Sequence, residues 1–335
     1  MRYIVIGGSG FVGLYTIRAI LDSLVGDHAK VFGTHDTQKS QVICMDVYKS
    51  QDLPDEVEFV YCDIAKGCSF RFLPSDIVIH LAARAYAPKP PRGNLEQYFR
   101  EVNVQGTRNI VETMLAYGCK NLVYFSTDMV YGKPQYLPVD CNHQREPFGW
   151  YGRTKVDSEN LIFAARDQGL HATIFRPRII VGAGRYGILT KLFTLVRHSL
   201  PVPMIGNGKN CYQMISVKDC AQAIVCAINK GIPNAELNLG SYNPPSIREL
   251  LSELIAHAHS KSFLVPTYAK GMKYILAFLE SVGMPLMYRE QYMIADEQYI
   301  VDIQQTIDLL EWQPQESDTD MLFEAYNEYI LRFKS

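Results

Sequence analysis

The sequence predicts an α/β fold, a doubly wound parallel sheet with a smaller, interleaved C-terminal domain. Three observations carry that expectation. Tyr3 to Ile6 is a short apolar run cut off by glycine, too brief for a helix and therefore a buried strand. Gly7, Gly10 and Gly13 follow at three-residue spacing, and Leu14 to Leu21 then carries apolar residues at helical intervals. From there to Phe125, apolar runs of strand length alternate with amphipathic helical stretches, the pattern of parallel strands joined by right-handed crossovers.

Strand, glycine turn and helix in that order define the Rossmann type of dinucleotide site. Gly7 makes the tight turn, Gly10 lets the backbone approach a pyrophosphate, and Gly13 lets the helix pack on the strand. The helix start, with the amides of Phe11, Val12 and Gly13, then offers free N–H groups and a partial positive charge to the phosphates. The spacing is G-x-x-G-x-x-G rather than G-x-G-x-x-G.

At 335 residues the chain can bury a full core and hold one large domain with a smaller companion. With 47% apolar and 20% charged residues it is not a disordered chain. A net charge of −2, with no basic stripe interleaved with aromatics, argues against a nucleic-acid partner. No apolar run is long enough for a transmembrane helix, and the first apolar run ends in glycines, unlike a signal peptide. Eight cysteines are scattered without a C-x-x-C pair, which reads as reduced thiols in a cytoplasmic protein. His257 and His259 fall on different faces of an expected helix and nothing completes a set of ligands, so no metal is expected.

Each element then follows in order. The next strand is placed at Lys30 to Gly33, and Asp36, 23 residues beyond Gly13, is placed to accept hydrogen bonds from an adenosine ribose. A carboxylate there favours NAD, while nearby Lys39 leaves NADP open; a solvent-exposed loop acid is the alternative. Val57 to Tyr61 is the third strand, after which Asp63 faces the adenine amino group with Ile64 on its ring, or else caps a turn. Asp76 to His80 is the fourth, and it opens into Leu81, Ala82 and Ala83, small enough to leave room for a cofactor. His80 reads as a core histidine rather than a base. Leu95 to Tyr117 is a long amphipathic helix interrupted by Asn103 and stopped by Gly118, and Asn121 to Phe125 is the fifth strand. Ligands in such a sheet bind at the carboxyl ends of the strands, so the chemistry is expected just after Phe125.

Thr127 stands there, and Tyr151 and Lys155 follow four residues apart on one face of a helix. A phenol with a reference pKa of about 10 is a poor base at neutral pH; a nearby ammonium, helped by an oxidised nicotinamide, stabilises the phenolate. With Thr127 bonding the same substrate oxygen, Tyr151 can take a proton from a secondary alcohol as hydride leaves, or return it to a ketone.

Taken together, Gly7-x-x-Gly10-x-x-Gly13, His80-Leu-Ala-Ala83, Asn103-Val-x-Gly106-Thr107, Ser126-Thr-Asp-x-Val-Tyr-Gly132 and Tyr151-x-x-x-Lys155 resemble the extended short-chain dehydrogenase/reductases of the epimerase/dehydratase superfamily. The resemblance continues through Arg176-Pro177, Gly182-x-Gly184, Val217-x-Asp219 and Trp312-x-Pro314. It implies that Lys155 also bonds the nicotinamide ribose, that Asn103 holds the active-site wall and that Pro177 lines the nicotinamide pocket.

Departures from the pattern narrow the choices. Dehydratases with a similar Ser-Thr-Asp carry glutamate where this chain has Met129, and a thioether removes no proton, although Asp128 remains a candidate donor. Nucleotide-sugar members often carry an asparagine and an arginine for the substrate diphosphate where this chain has Ile179 and Tyr212; Arg178, Arg185, Lys209 and Lys218 are the possible substitutes.

The dinucleotide domain is expected over 1–177 with 213–240 returning to it, and the substrate domain over 178–212 and 241–335. Residues 269–288 are rich in apolar side chains and are read as a core helix of that domain, ahead of a pocket wall or an interfacial helix. The resulting expectation is an NAD(P)-dependent oxidoreductase acting at a secondary alcohol or ketone of a small molecule. A compact or hydroxysteroid-like substrate is preferred to a nucleotide sugar handled by a 4-epimerase or 4-ketoreductase. A cofactor-sensing regulator is disfavoured because such relatives lose the Tyr and Lys that this chain keeps. A homodimer is left open.

Overall fold

The computed structural model describes residues 1–25, 40–85, 94–184, 186–187, 189–282, 284, 287 and 289–333. Seven strands form the main sheet: β1 (Arg2–Ile6), β2 (Gln41–Asp46), β3 (Glu58–Tyr61), β4 (Ile77–His80), β5 (Asn121–Phe125), β6 (His171–Pro177) and, later in the chain, β10 (Ala235–Leu239). Their order is β10-β6-β5-β4-β1-β2-β3, and every neighbouring pair is parallel. The winding reverses between β1 and β4, so the carboxyl ends of these two strands, Ile6 and His80, open the crevice where such sheets take ligands.

Helices cover both faces. On one side α1 (Phe11–Val25) packs against α6 (Val217–Asn229); Ile17, Ile20, Cys220 and Ile224 share a core with Val5, Val123 and Leu237. On the other side Ile110 and Met114 of α3 (Thr107–Ala116) and Ile162 of α4 (Trp150–Arg166) pack on Ile4, Ile6, Val78 and Tyr124. Each such side chain contributes roughly 1.5–3 kcal/mol on burial. The stretch from Leu95 is helical as expected, but not uniformly α. Between α2 (Leu95–Arg100) and α3 the backbone widens into a π-turn at Glu101–Gly106, and Asn103 lies within it.

The C-terminal lobe has its own core of Phe193, Met204, Leu254, Met321 and Tyr329. It contains the parallel pairs β7 (Ile179–Val181) with β9 (Met214–Ser216) and β8 (Val202–Ile205) with β11 (Leu264–Thr267). Its helices are α5 (Leu189–Arg197), α7 (Ile247–His257), α8 (Ala269–Ser281), α9 (Arg289–Tyr292) and α11 (Asp318–Arg332), whereas α10 (Gln304–Leu310) packs on β10 and α6 of the sheet domain. α6 follows β9 directly, with Ser216 as its N-cap accepting from the Lys218 amide. Asp219 accepts from the amides of Gln315 and Glu316, and the Trp312 indole donates to the Asp219 carbonyl, so the V-x-D and W-x-P segments meet.

Two expectations change. The run Lys30–Gly33 lies outside the described residues, and the strand beside β1 is Gln41–Asp46, with Val42 to Met45 buried. Nor is α8 a core helix: only Leu276 is buried, while Tyr274, Ile275 and Phe278 face solvent. Its packing neighbour α9 is a single turn.

Candidate active site

The glycine turn closes against β4. Gly7 has φ +82°, and a Cβ on it would stand 2.6 Å from the Ala82 amide nitrogen. That amide and the Leu81 amide both donate to the Ile6 carbonyl, so Leu81, Ala82 and Ala83 line the crevice beside the turn. A Cβ on Gly13 would overlap the Gly7 carbonyl, which is why the helix can start so close to the strand. At Gly10 the nearest atom to such a Cβ is the Gly7 carbonyl oxygen at 3.1 Å; the space above it is open, the cradle that a pyrophosphate needs and a side chain would fill. The described residues therefore fit a dinucleotide.

Asp36 lies outside the described residues. The carboxylate that ends the strand beside β1 is Asp46, which the sequence reading passed over. Its Oδ2 accepts from the Ser9 amide of the glycine turn at 3.0 Å and its Oδ1 from the Val47 amide at 2.7 Å. Burial pushes its carboxyl up from the ordinary value, against these amide bonds. The signal was present: Val42 to Met45 is an apolar run ending in an acid, a better strand than Lys30 to Gly33. Asp63 behaves as the turn cap, accepting from the Ala65 amide at 3.3 Å and pairing with Lys66, while Ile64 is buried against the α3 side of the core.

His80 is fully buried, hydrogen-bonded through Nε2 to Thr107 at 3.0 Å, and pushed down to about 3 by burial and then by Lys155. A ring held neutral in this way is a core group. Asn103 uses its π-turn to reach across the site: its Oδ1 accepts from the Arg84 amide at 2.8 Å, and its Nδ2 donates to the Arg84 carbonyl and to Thr154 Oγ1. It thereby ties the loop after β4 to α4.

Thr127 follows β5 and caps the short turn Asp128–Val130, its Oγ1 accepting from the Met129 amide at 3.2 Å. α4 comes close to this turn because Gly152 has no side chain; a Cβ there would stand 2.6 Å from the Met129 carbonyl. Tyr151 precedes it, with its ring 6.0 Å from that of Phe99. Lys155 is buried and donates to the Phe125 carbonyl at 2.6 Å and to the Tyr124 hydroxyl at 3.2 Å. Burial pushes it down to about 7, opposed by the charge of Glu159. The fold thus brings Thr127, Tyr151 and Lys155 to one strand end, as their spacing demands. Pro177 ends β6 alongside, buried and in register with Leu239.

Arg178, next in the chain, is fully buried. It pairs with Asp128, and its guanidinium is stacked between the rings of Tyr299 at 4.1 Å and Tyr212 at 4.8 Å. Asp128 is thus the acceptor of a buried guanidinium. Lys218 is engaged by Glu316 and Glu324, Lys209 is exposed, and Arg185 lies outside the described residues. Ile179 packs into the C-terminal core.

Among the described residues no group of three or more His, Cys, Asp or Glu could hold a metal ion, and no helix is long and apolar enough to cross a membrane. All eight cysteines are free thiols.

A doubly wound parallel sheet with a glycine cradle and a Tyr-x-x-x-Lys helix beside it defines an NAD-binding enzyme. The model of the NAD dependent epimerase/dehydratase family matches residues 3–240, and the chain belongs to that family. It is 31% identical over 97% of its length to the uncharacterized protein y4nG of Sinorhizobium fredii, covering 78% of that protein. It is 28% identical to a putative UDP-glucose 4-epimerase of Methanocaldococcus jannaschii, over 76% of this chain and 81% of that one. Among solved structures, the UDP-glucuronic acid 4-epimerase from Bacillus cereus in complex with NAD superposes with a TM-score of 0.76 at 20% identity, covering all of both chains. That last likeness is one of fold.

Proposed function

We propose that the chain is an NAD-dependent oxidoreductase that acts at a secondary alcohol or ketone on a compact or apolar substrate without a diphosphate. Thr127 and Tyr151 bond the substrate oxygen, and Tyr151 takes the proton from the alcohol or returns it to the ketone. Lys155 holds the phenol toward its ionised form and bonds the nicotinamide ribose. Gly7, Gly10 and Gly13, with the amides of Phe11 and Val12, hold the pyrophosphate; Asp46 accepts from the adenosine ribose, and Asn103 and Pro177 wall the nicotinamide end. When bound, the nicotinamide supplies the hydride acceptor or donor.

The engagement of Arg178 carries the substrate reading. Two desolvated phosphate charges need fixed cations or several N–H donors. Arg178 is fully buried: its Nη1 pairs with Asp128 between two tyrosine rings, one of them Tyr212 at the position where relatives often place an arginine, and its Nε and Nη2 are buried without a hydrogen-bond partner. Lys218 is held by two glutamates, and exposed Lys209 is screened by water.

Calorimetry on the NAD-loaded protein tests this. UDP, GDP, CDP and dTDP are expected to bind with dissociation constants on the order of a millimolar, about 4 kcal/mol. An apolar alcohol or ketone is expected to bind more tightly, with little salt dependence. Micromolar, salt-sensitive binding of one nucleotide overturns the reading in favour of a nucleotide-sugar 4-epimerase, the second reading, which the names of the similar epimerases support.

A further inference from the structure

The first turn of α4 lacks a cap of its own. Its N-cap residue is Gly149, which has no side chain to offer, and no acidic residue lies in the first turn. Free amides at a helix start need an acceptor. Here it arrives from the C-terminal lobe: the Glu290 carboxyl, on α9, is buried against Gly149 and faces the amides of Gly152 and Tyr151. Glycine at 149 is what makes room, because a Cβ there would overlap Glu290 Oε1.

We propose that Glu290 is a positioning residue for Tyr151: from α9 it clamps the backbone from which the phenol projects and so fixes the phenol relative to Thr127 and Lys155. The inference rests on Tyr151 being the acid/base. Three features carry it. The contact is made to the amide of Tyr151 itself. The carboxyl lies in a dry place, with Oε2 buried and without a hydrogen-bond partner, where a carboxylate is costly unless amides and the positive helix end hold it. Finally, the clamp joins the lobe that carries β11 and α8 to the helix that carries the chemistry, so the geometry of Tyr151 depends on how that lobe sits.

The test compares Glu290→Ala and Glu290→Gln in the NAD-loaded full chain, by amide hydrogen exchange across 149–153 and by steady-state kinetics with the best substrate of the panel. Glu290→Ala is expected to speed exchange at Tyr151 and Gly152 and to lower kcat by about 10–100-fold, with KM and NAD affinity changed less than about twofold. Glu290→Gln keeps an oxygen acceptor and is expected to restore most of the protection and most of kcat, and it serves as the informative variant if the alanine form does not fold. Unchanged exchange in the variants overturns the clamp. Faster exchange with unaltered kcat overturns the positioning role, and Tyr151→Phe in the same assay shows separately whether Tyr151 is the acid/base at all.

Discussion

Lys155 delivers its ammonium to the carbonyl oxygen of Phe125, Nζ to O 2.6 Å, and this bond ties α4 to the strand end that carries Thr127. The cation is paired with a carbonyl and a phenol hydroxyl rather than a carboxylate; Glu159, four residues on, spends its charge on Arg176 and Arg145. A buried ammonium so placed costs stability, a cost that the proposed mechanism assigns to the chemistry.

Lys155→Met is accordingly expected to abolish most turnover, by roughly 10²–10⁴-fold, without a matching loss of stability. The pH dependence has a definite sign. Burial lowers the folded-state value of Lys155 to about 7, against about 10.4 in an unfolded chain, so the unfolded state binds more protons between these values. The wild type therefore gains stability relative to the variant as pH rises from 7 toward about 10, and the penalty for the buried charge is fully present below 7. Urea unfolding of both proteins across this range measures it; a stability difference that does not move with pH counts against a lowered value for the buried Lys155.

Much of this site is legible in the sequence because its signals are local. The spacing of Tyr151 and Lys155 places both on one helical face, and Thr127 follows an apolar run that can only be a strand end. Other parts are tertiary. The pairing of Asp128 with Arg178 joins the ends of β5 and β6, and nothing in either segment announces it. Glu290 acts through backbone amides of a distant helix, leaving no motif. The π-turn around Asn103 is invisible because the apolar spacing of Leu95 to Tyr117 suits an α-helix equally well. Asp46 ends the strand that pairs with β1, and that pairing is tertiary too: distance from Gly13 points to Asp36 and says nothing of which strand lies beside β1.

The Asp128–Arg178 pair is expected to behave as a strongly coupled buried ion pair. Arg178→Leu leaves a carboxylate buried without its cation and should cost about 3–5 kcal/mol. Asp128→Asn alone leaves the guanidinium between Tyr212 and Tyr299 in the reverse predicament. The double variant removes both charges and should recover much of the loss. A double-mutant cycle by urea unfolding measures the coupling, and additive single effects would show that the pair is not the unit described here.

Asp46 is expected to set cofactor choice. It ends β2 beside the glycine turn, whose Ser9 amide it holds, and in the proposed site it takes the adenosine ribose. A charge-assisted hydrogen bond contributes about 1.5–3 kcal/mol, so Asp46→Ala should weaken NADH binding by roughly 10–100-fold. The variant should also narrow the preference for NADH over NADPH, because the carboxylate that repels a 2′-phosphate is gone. Asp46→Asn separates the two effects: it keeps an acceptor for Ser9 while removing the charge, so it should recover part of the NADH affinity but not the discrimination. Asp36→Ala is expected to change neither. Fluorescence titration of the three variants with NADH and NADPH decides between the two acids. If Asp36→Ala shifts the cofactor ratio and Asp46→Asn leaves it where it was, the ribose belongs to Asp36 and Asp46 serves only the turn.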